Sequence, residues 1–114
     1  MVSYCYCGFE FKGHINLKIP AHPFNAEALK VANYISSCSL MSTKRFIEIG
    51  MWVTDDRGFR LLDWATWLKF LKRGYIGVPN YKTWFVANAK KDSVSCRDAE
   101  DYHKKAKWVL ENYG

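Results

Sequence analysis

The chain has 114 residues, 49% of them apolar and 25% charged, a balance that predicts one globular domain and excludes intrinsic disorder. The net charge is +6, which suits a polyanionic partner. No apolar run approaches the roughly 18–20 residues that a bilayer-spanning helix needs, and the N-terminus lacks the basic and apolar regions of a secretory signal.

Residues 2–19 alternate in the manner of strands, with Val2, Tyr4 and Tyr6, then Phe9 and Phe11, then Ile15, Leu17 and Ile19. Lys12-Gly13 reads as the turn of a β-hairpin, and Pro20 and Pro23 end its second strand. Asn25 is suited to cap a helix over 26–37, with Ala28, Val31, Ala32 and Ile35 on one face. Ser42 can cap a second helix that turns Phe46, Ile47 and Ile49 inward, and Gly50 can end it. Met51–Thr54 and Phe59–Leu62 are β-prone runs around an Asp/Gly-rich turn, which predicts a hairpin. Asp63 is then placed as N-cap of a helix carrying the stripe Trp64, Trp67, Leu68 and Leu71, with Gly74 as its stop. Residues 75–78 and 83–87 read as extended, separated by Pro79-Asn80. Ser95 with Asp98 resembles a capping box for a final helix over 96–112, burying Ala99, Tyr102, Ala106, Val109 and Leu110.

The expected fold is therefore α+β in a single domain, 1–114. It comprises a β-hairpin at 2–19, a winged helix-turn-helix unit at 26–64 and a basic helix/strand/helix extension at 64–114. In such a unit the second helix enters the major groove by its N-terminal end. Here that end carries Ser42, Thr43, Lys44 and Arg45, whose hydroxyl, ammonium and guanidinium groups bond phosphates and base edges. Arg57 and Arg60 lie on the hairpin, although Asp55 and Asp56 at its tip would repel phosphate. Between Trp64 and Lys91 there is no acid, and Lys69, Lys72 and Arg73 head that basic stretch. Trp67, Trp84 and Phe85 within it are expected to be core.

The string from Phe46 through Gly50 and Trp52 to Gly58, Phe59, Asp63 and Trp64 resembles the winged-helix module of phage replisome-organiser-like proteins. The resemblance covers residues 26–67. It implies a DNA-binding protein of phage or mobile-element origin, a regulator or replication accessory, with Thr43–Arg45 and the wing as contact surface.

Two alternatives come from other classes. An adaptor or inhibitor that binds a host protein would expose an aromatic patch drawn from Tyr4, Tyr6, Trp84 and Tyr113. A small zinc protein would use Cys5 and Cys7 with His14, His22, Cys38, Cys96 or His103. The single-residue spacer between Cys5 and Cys7 is shorter than structural zinc sites use, and the pair is expected to split, one thiol buried and one exposed. The four cysteines read as reduced thiols of a protein of the cytoplasm, the host's if the source is viral. No catalytic motif argues for an enzyme, no cofactor is implied, and the oligomeric state is not legible.

Overall fold

The structure, a computed structural model, describes residues 1–54, 61–89 and 102–114. Its elements run β1 (Val2–Gly13), β2 (Leu17–Ile19), α1 (Ala26–Leu29), β3 (Leu40–Met41), α2 (Thr43–Glu48), α3 (Leu62–Lys72), β4 (Ile76–Ala89) and α4 (Tyr102–Tyr113). The fold is mixed α+β, with helices packed on a sheet.

β1 is the central strand. Its outer half forms the expected antiparallel hairpin with β2, in the register Phe9↔Ile19 and Phe11↔Leu17. Gly13 takes a positive φ of 115° at the turn, and the Asn16 side chain bonds both its N–H and its carbonyl. The inner half of β1 pairs with β3 through Tyr4↔Met41 and Cys5↔Leu40. On its other edge β1 runs parallel to β4 from Val2↔Ile76 to Gly13↔Ala89. A parallel pair cannot be closed by a tight turn, so the crossover carries α1, β3, α2 and α3. The two extended runs expected at 75–78 and 83–87 are thus one strand. The ladder steps from Cys7↔Asn80 to Gly8↔Trp84, so residues 81–83 bulge out, and the Asn80 side chain holds the Lys82 N–H at 2.9 Å. Pro79 is tolerated because β4 has β1 as its only strand partner among the described residues.

The core lies between this sheet and α3. Tyr4 and Tyr6 are buried, and Tyr4 stacks on Trp67 at 4.7 Å between ring centres. α3 buries Trp64, Ala65, Thr66, Trp67, Leu68 and Phe70, a wider face than the predicted stripe. α4 packs against it through Val109, with Ala106 and Leu110 half-buried beside the core. Tyr102, expected inside, is exposed. Ala99 and the proposed cap at Ser95 and Asp98 lie outside the described residues.

Local chemistry explains the helix ends. Asn25 accepts the Ala28 N–H, and Ser42 accepts the Arg45 N–H, as N-caps do. α2 and α3 both close in the same way. Gly50 and Gly74 adopt positive φ, and the N–H groups of Met51 and Tyr75 reach back to the carbonyls of Phe46 and Phe70. Of the residues expected to point inward from α2, Ile49 is buried and Phe46 half-buried, but Ile47 is exposed.

Three expectations change. The helix expected over 26–37 ends at Leu29. Beyond it, Asn33 Oδ1 takes the Ile35 N–H and Ser36 Oγ takes the Cys38 N–H, local turns that compete with helix. The indole N–H groups of Trp64 and Trp67 donate to the carbonyls of Leu29 and Ile35, which fastens this irregular segment to α3. Val31, placed on the inward face, is exposed. Secondly, residues 51–54 form no strand, and Leu61 and Leu62 begin α3 rather than a wing strand. The turn at 55–60 lies outside the described residues. Thirdly, Asp63 is not the N-cap of α3. Leu61 occupies that position without a side-chain bond, and Asp63 sits in the first turn.

Candidate nucleic-acid interface

Of the predicted contact residues, Arg45, Lys69 and Arg73 are brought together by contacts at and just beyond α2. Thr43 and Lys44 are exposed at the start of α2, while the Ser42 hydroxyl is taken up by its cap and its N–H by the Ser3 carbonyl at 2.8 Å. Arg45 turns toward the body of the protein. Its guanidinium lies 4.8 Å from the centre of the Tyr75 ring, donates to the Tyr75 hydroxyl at 2.9 Å and approaches the Glu48 carboxylate at 3.5 Å. The Tyr75 hydroxyl in turn donates to Glu48 at 2.5 Å. That bond, then the positive charge of Arg45, holds the Glu48 carboxyl below the usual carboxylate range.

Two further cations converge on the last turn of α2. Arg73 donates to the Glu48 carbonyl at 3.2 Å and Lys69 to the Met51 carbonyl at 2.8 Å. Carbonyls at a helix C-terminus are unsatisfied and carry partial negative charge, so they attract cations. Partial burial pulls the Lys69 ammonium below its usual value. On α3, Lys72 and Arg73 lie three and four residues beyond Lys69 and share its face. Lys72 is exposed and its ammonium, like that of Lys44, makes no hydrogen bond or ion pair among the described residues. Arg45, Lys69 and Arg73 are thereby tied to α2 and the residues just after it, and among the described residues Glu48 is the carboxylate that Arg45 contacts. Arg57 and Arg60 lie outside the described residues. Sequence reasoning missed Tyr75 and Glu48 as the organisers of Arg45, and the three-residue spacing of Arg45 and Glu48 was the available signal.

At the other end of α3 an open groove of about 410 Å³ is lined by Phe9, Phe11, Phe85 and Ala87 of the sheet, by residues 33–37 and by Asp63. The pairings Phe9↔Phe85 and Phe11↔Ala87 put those side chains on one face of the parallel ladder. All four are half-buried, so Phe85 is not the core residue expected of it. The Asp63 carboxylate accepts the Trp64 N–H at 2.9 Å and the Asn33 amide at 3.3 Å. Burial nevertheless raises its pKa, outweighing those two bonds, which pull the other way.

The aromatic patch named for a protein partner is dismantled, because Tyr4 and Tyr6 are core. Trp84 is half-buried, with the Lys18 ammonium 4.2 Å from its ring centre. Cys5 and Cys7 are both half-buried, not split. Residues two apart on a strand share a face, so their spacing gives no reason to separate them. Cys7 Sγ lies 3.9 Å from the Cys38 carbonyl, but no three His, Cys, Asp or Glu side chains among the described residues are grouped to hold a metal ion. Cys96 lies outside those residues. No helix among them is long and apolar enough to cross a membrane. No family model, curated protein or solved structure matches this chain.

Proposed function

We propose that the protein binds nucleic acid through the face made by α2 and the C-terminal end of α3. The observation that carries this reading is the tethering of Arg45, Lys69 and Arg73 to α2 and the residues just after it, with Lys44 and Lys72 exposed on the same two helices. Phosphate backbones are bound mainly by such charge, with release of counterions. Arg45, Lys69 and Arg73 are pre-positioned by their internal bonds and supply fixed field, while Lys44 and Lys72 are free to reach phosphates. In the finer form of the proposal, residues 26–64 are the winged helix-turn-helix unit of a DNA-binding protein of phage type. The Ser42 cap, the Gly50 stop and the order of the helices support that form.

The test is a gel-shift and filter-binding titration against duplex and single-stranded oligonucleotides at several salt concentrations. Affinity should fall steeply with salt, with a log–log slope of about −0.9 per duplex phosphate contacted. Lys44→Ala with Lys72→Ala should leave the fold intact and reduce the slope by about 2. Absence of binding at low salt would overturn the proposal.

A second reading, docking on a partner protein, draws on Ile47, Met51 and Trp52, which are exposed along the end of α2 beside the same face. A protein recovered stoichiometrically by pull-down after nuclease treatment would favour it.

A further inference from the structure

The groove at the N-terminal end of α3 has no part in the basic face, and its chemistry is different. Its floor is aromatic, with the Phe9 and Phe11 rings 5.7 Å apart and nearly perpendicular and Phe85 directly across the ladder from Phe9. Its wall carries the amide of Asn33 and the hydroxyls of Ser36 and Ser37. Among the described residues Asp63 is the one charged side chain that lines it. A fitting ligand is flat and apolar on its faces, so that it stacks on phenyl rings. At its edge it presents hydrogen-bond donors to an oxygen pair that can only accept.

We propose that this groove holds one unpaired guanine base, stacked on one ring of the Phe9, Phe11 and Phe85 cluster with its N1–H and N2–H donors on the Asp63 carboxylate. The inference rests on the nucleic-acid reading and narrows it to strands with unpaired bases. Among the common bases guanine alone places two donors side by side on its Watson–Crick edge, and a carboxylate matches such a pair in two parallel bonds. Adenine and cytosine each set an acceptor nitrogen beside their amino group, and thymine or uracil flanks its one N–H with carbonyls. Each would therefore point a lone pair at Asp63. The Watson–Crick edge is free only in single strands, loops and ends, where bases are read by stacking on aromatic side chains together with edge hydrogen bonds. Asp63 and Arg73 lie at opposite ends of α3, separated by about 15 Å at 1.5 Å per residue, so a strand that crosses the basic face can reach the groove. The Trp64 N–H and the Asn33 amide hold the carboxylate in place and leave acceptor positions on it.

The experiment uses the full chain. GMP, AMP, CMP and UMP are titrated by calorimetry and by NMR shift mapping, alongside an oligothymidylate with and without one central guanine and a duplex of the same length. GMP should bind at least tenfold more tightly than AMP, with shifts at residues 33–37 and 85–87. Asp63→Asn, which keeps an acceptor for the Trp64 N–H, should abolish that preference while leaving the far-UV spectrum unchanged. Phe85→Ala should weaken GMP and AMP alike. Equal affinity for the four nucleotides, or a guanine preference that survives Asp63→Asn, would overturn the inference. Salt-dependent duplex binding without guanine preference refutes the groove and leaves the basic face. A guanine preference without oligonucleotide retention at low salt refutes the basic face and leaves the groove.

Discussion

Replacing Gly77 by alanine probes the parallel pairing of β1 with the first half of β4. Gly77 faces Tyr4 across that ladder. A Cβ added there would lie 2.6 Å from Tyr4 Cζ and 2.8 Å from Cδ2, with Cε2 closer still. Carbon atoms pack at about 3.5–4.0 Å, so the ring would have to retreat by about 1 Å. It has nowhere to go. Tyr4 is 3% exposed, stacked on Trp67 at 4.7 Å and against Phe70 at 5.1 Å. Overpacking of a walled site costs about 1–3 kcal/mol, and the enclosure here points to about 3. With a urea slope of about 2 kcal/mol per M, the midpoint should fall by about 1.5 M. Tyr4→Leu removes the ring, and in that background Gly77→Ala should cost less than about 1 kcal/mol, a coupling of about 2. An unchanged midpoint, or the same cost in both backgrounds, would refute the contact and with it the register of β1 against β4 ahead of the bulge at 81–83.

Other consequences are open to direct measurement. Because burial raises the folded-state pKa of Asp63, only between the ordinary aspartate pKa and the raised one does the folded protein hold a proton there that the unfolded chain has released. Its contribution to stability is then full below the ordinary aspartate pKa and is lost as pH rises through the raised one. Urea unfolding across that range should show the loss in the natural protein, and the difference from Asp63→Asn should isolate it from the opposing effect of Glu48. Trp64→Phe leaves the buried Leu29 carbonyl without its 2.7 Å donor and should cost about 1–3 kcal/mol by thermal unfolding, with residues 29–35 losing amide protection first. Gly50→Ala and Gly74→Ala each force a side chain into the left-handed region, and each should cost about 1 kcal/mol. The open space at Gly74 and the 3.5 Å distance from a Gly50 Cβ to the Lys69 ammonium leave conformation rather than clash as the cause.

Much of the local fold was legible in the residues themselves. Asn25 and Ser42 cap helices, Gly50 and Gly74 end them, and the first strand turns back at Gly13. Each of these is decided within about four residues, by a side chain that reaches a nearby N–H or by a backbone angle that glycine tolerates. The limits of α1 were not legible, because turns at Asn33 and Ser36 and indole bonds from Trp64 and Trp67, distant in the chain, outweigh helical periodicity. The cations were legible as a basic stretch, but alternation and charge do not reveal which carbonyl, ring or carboxylate a long side chain meets. Only packing brought Arg45 onto Tyr75 and Lys69 and Arg73 onto the end of α2. The groove was least legible of all. Alternation marks 2–13 as a strand and cannot name its partner, since a parallel ladder joins segments far apart in the chain and leaves no turn between them to read. Local chemistry legible in the residues set where α1 and α2 start and where α2 and α3 stop. Tertiary structure alone decided that Phe9, Phe85 and Asp63 should meet.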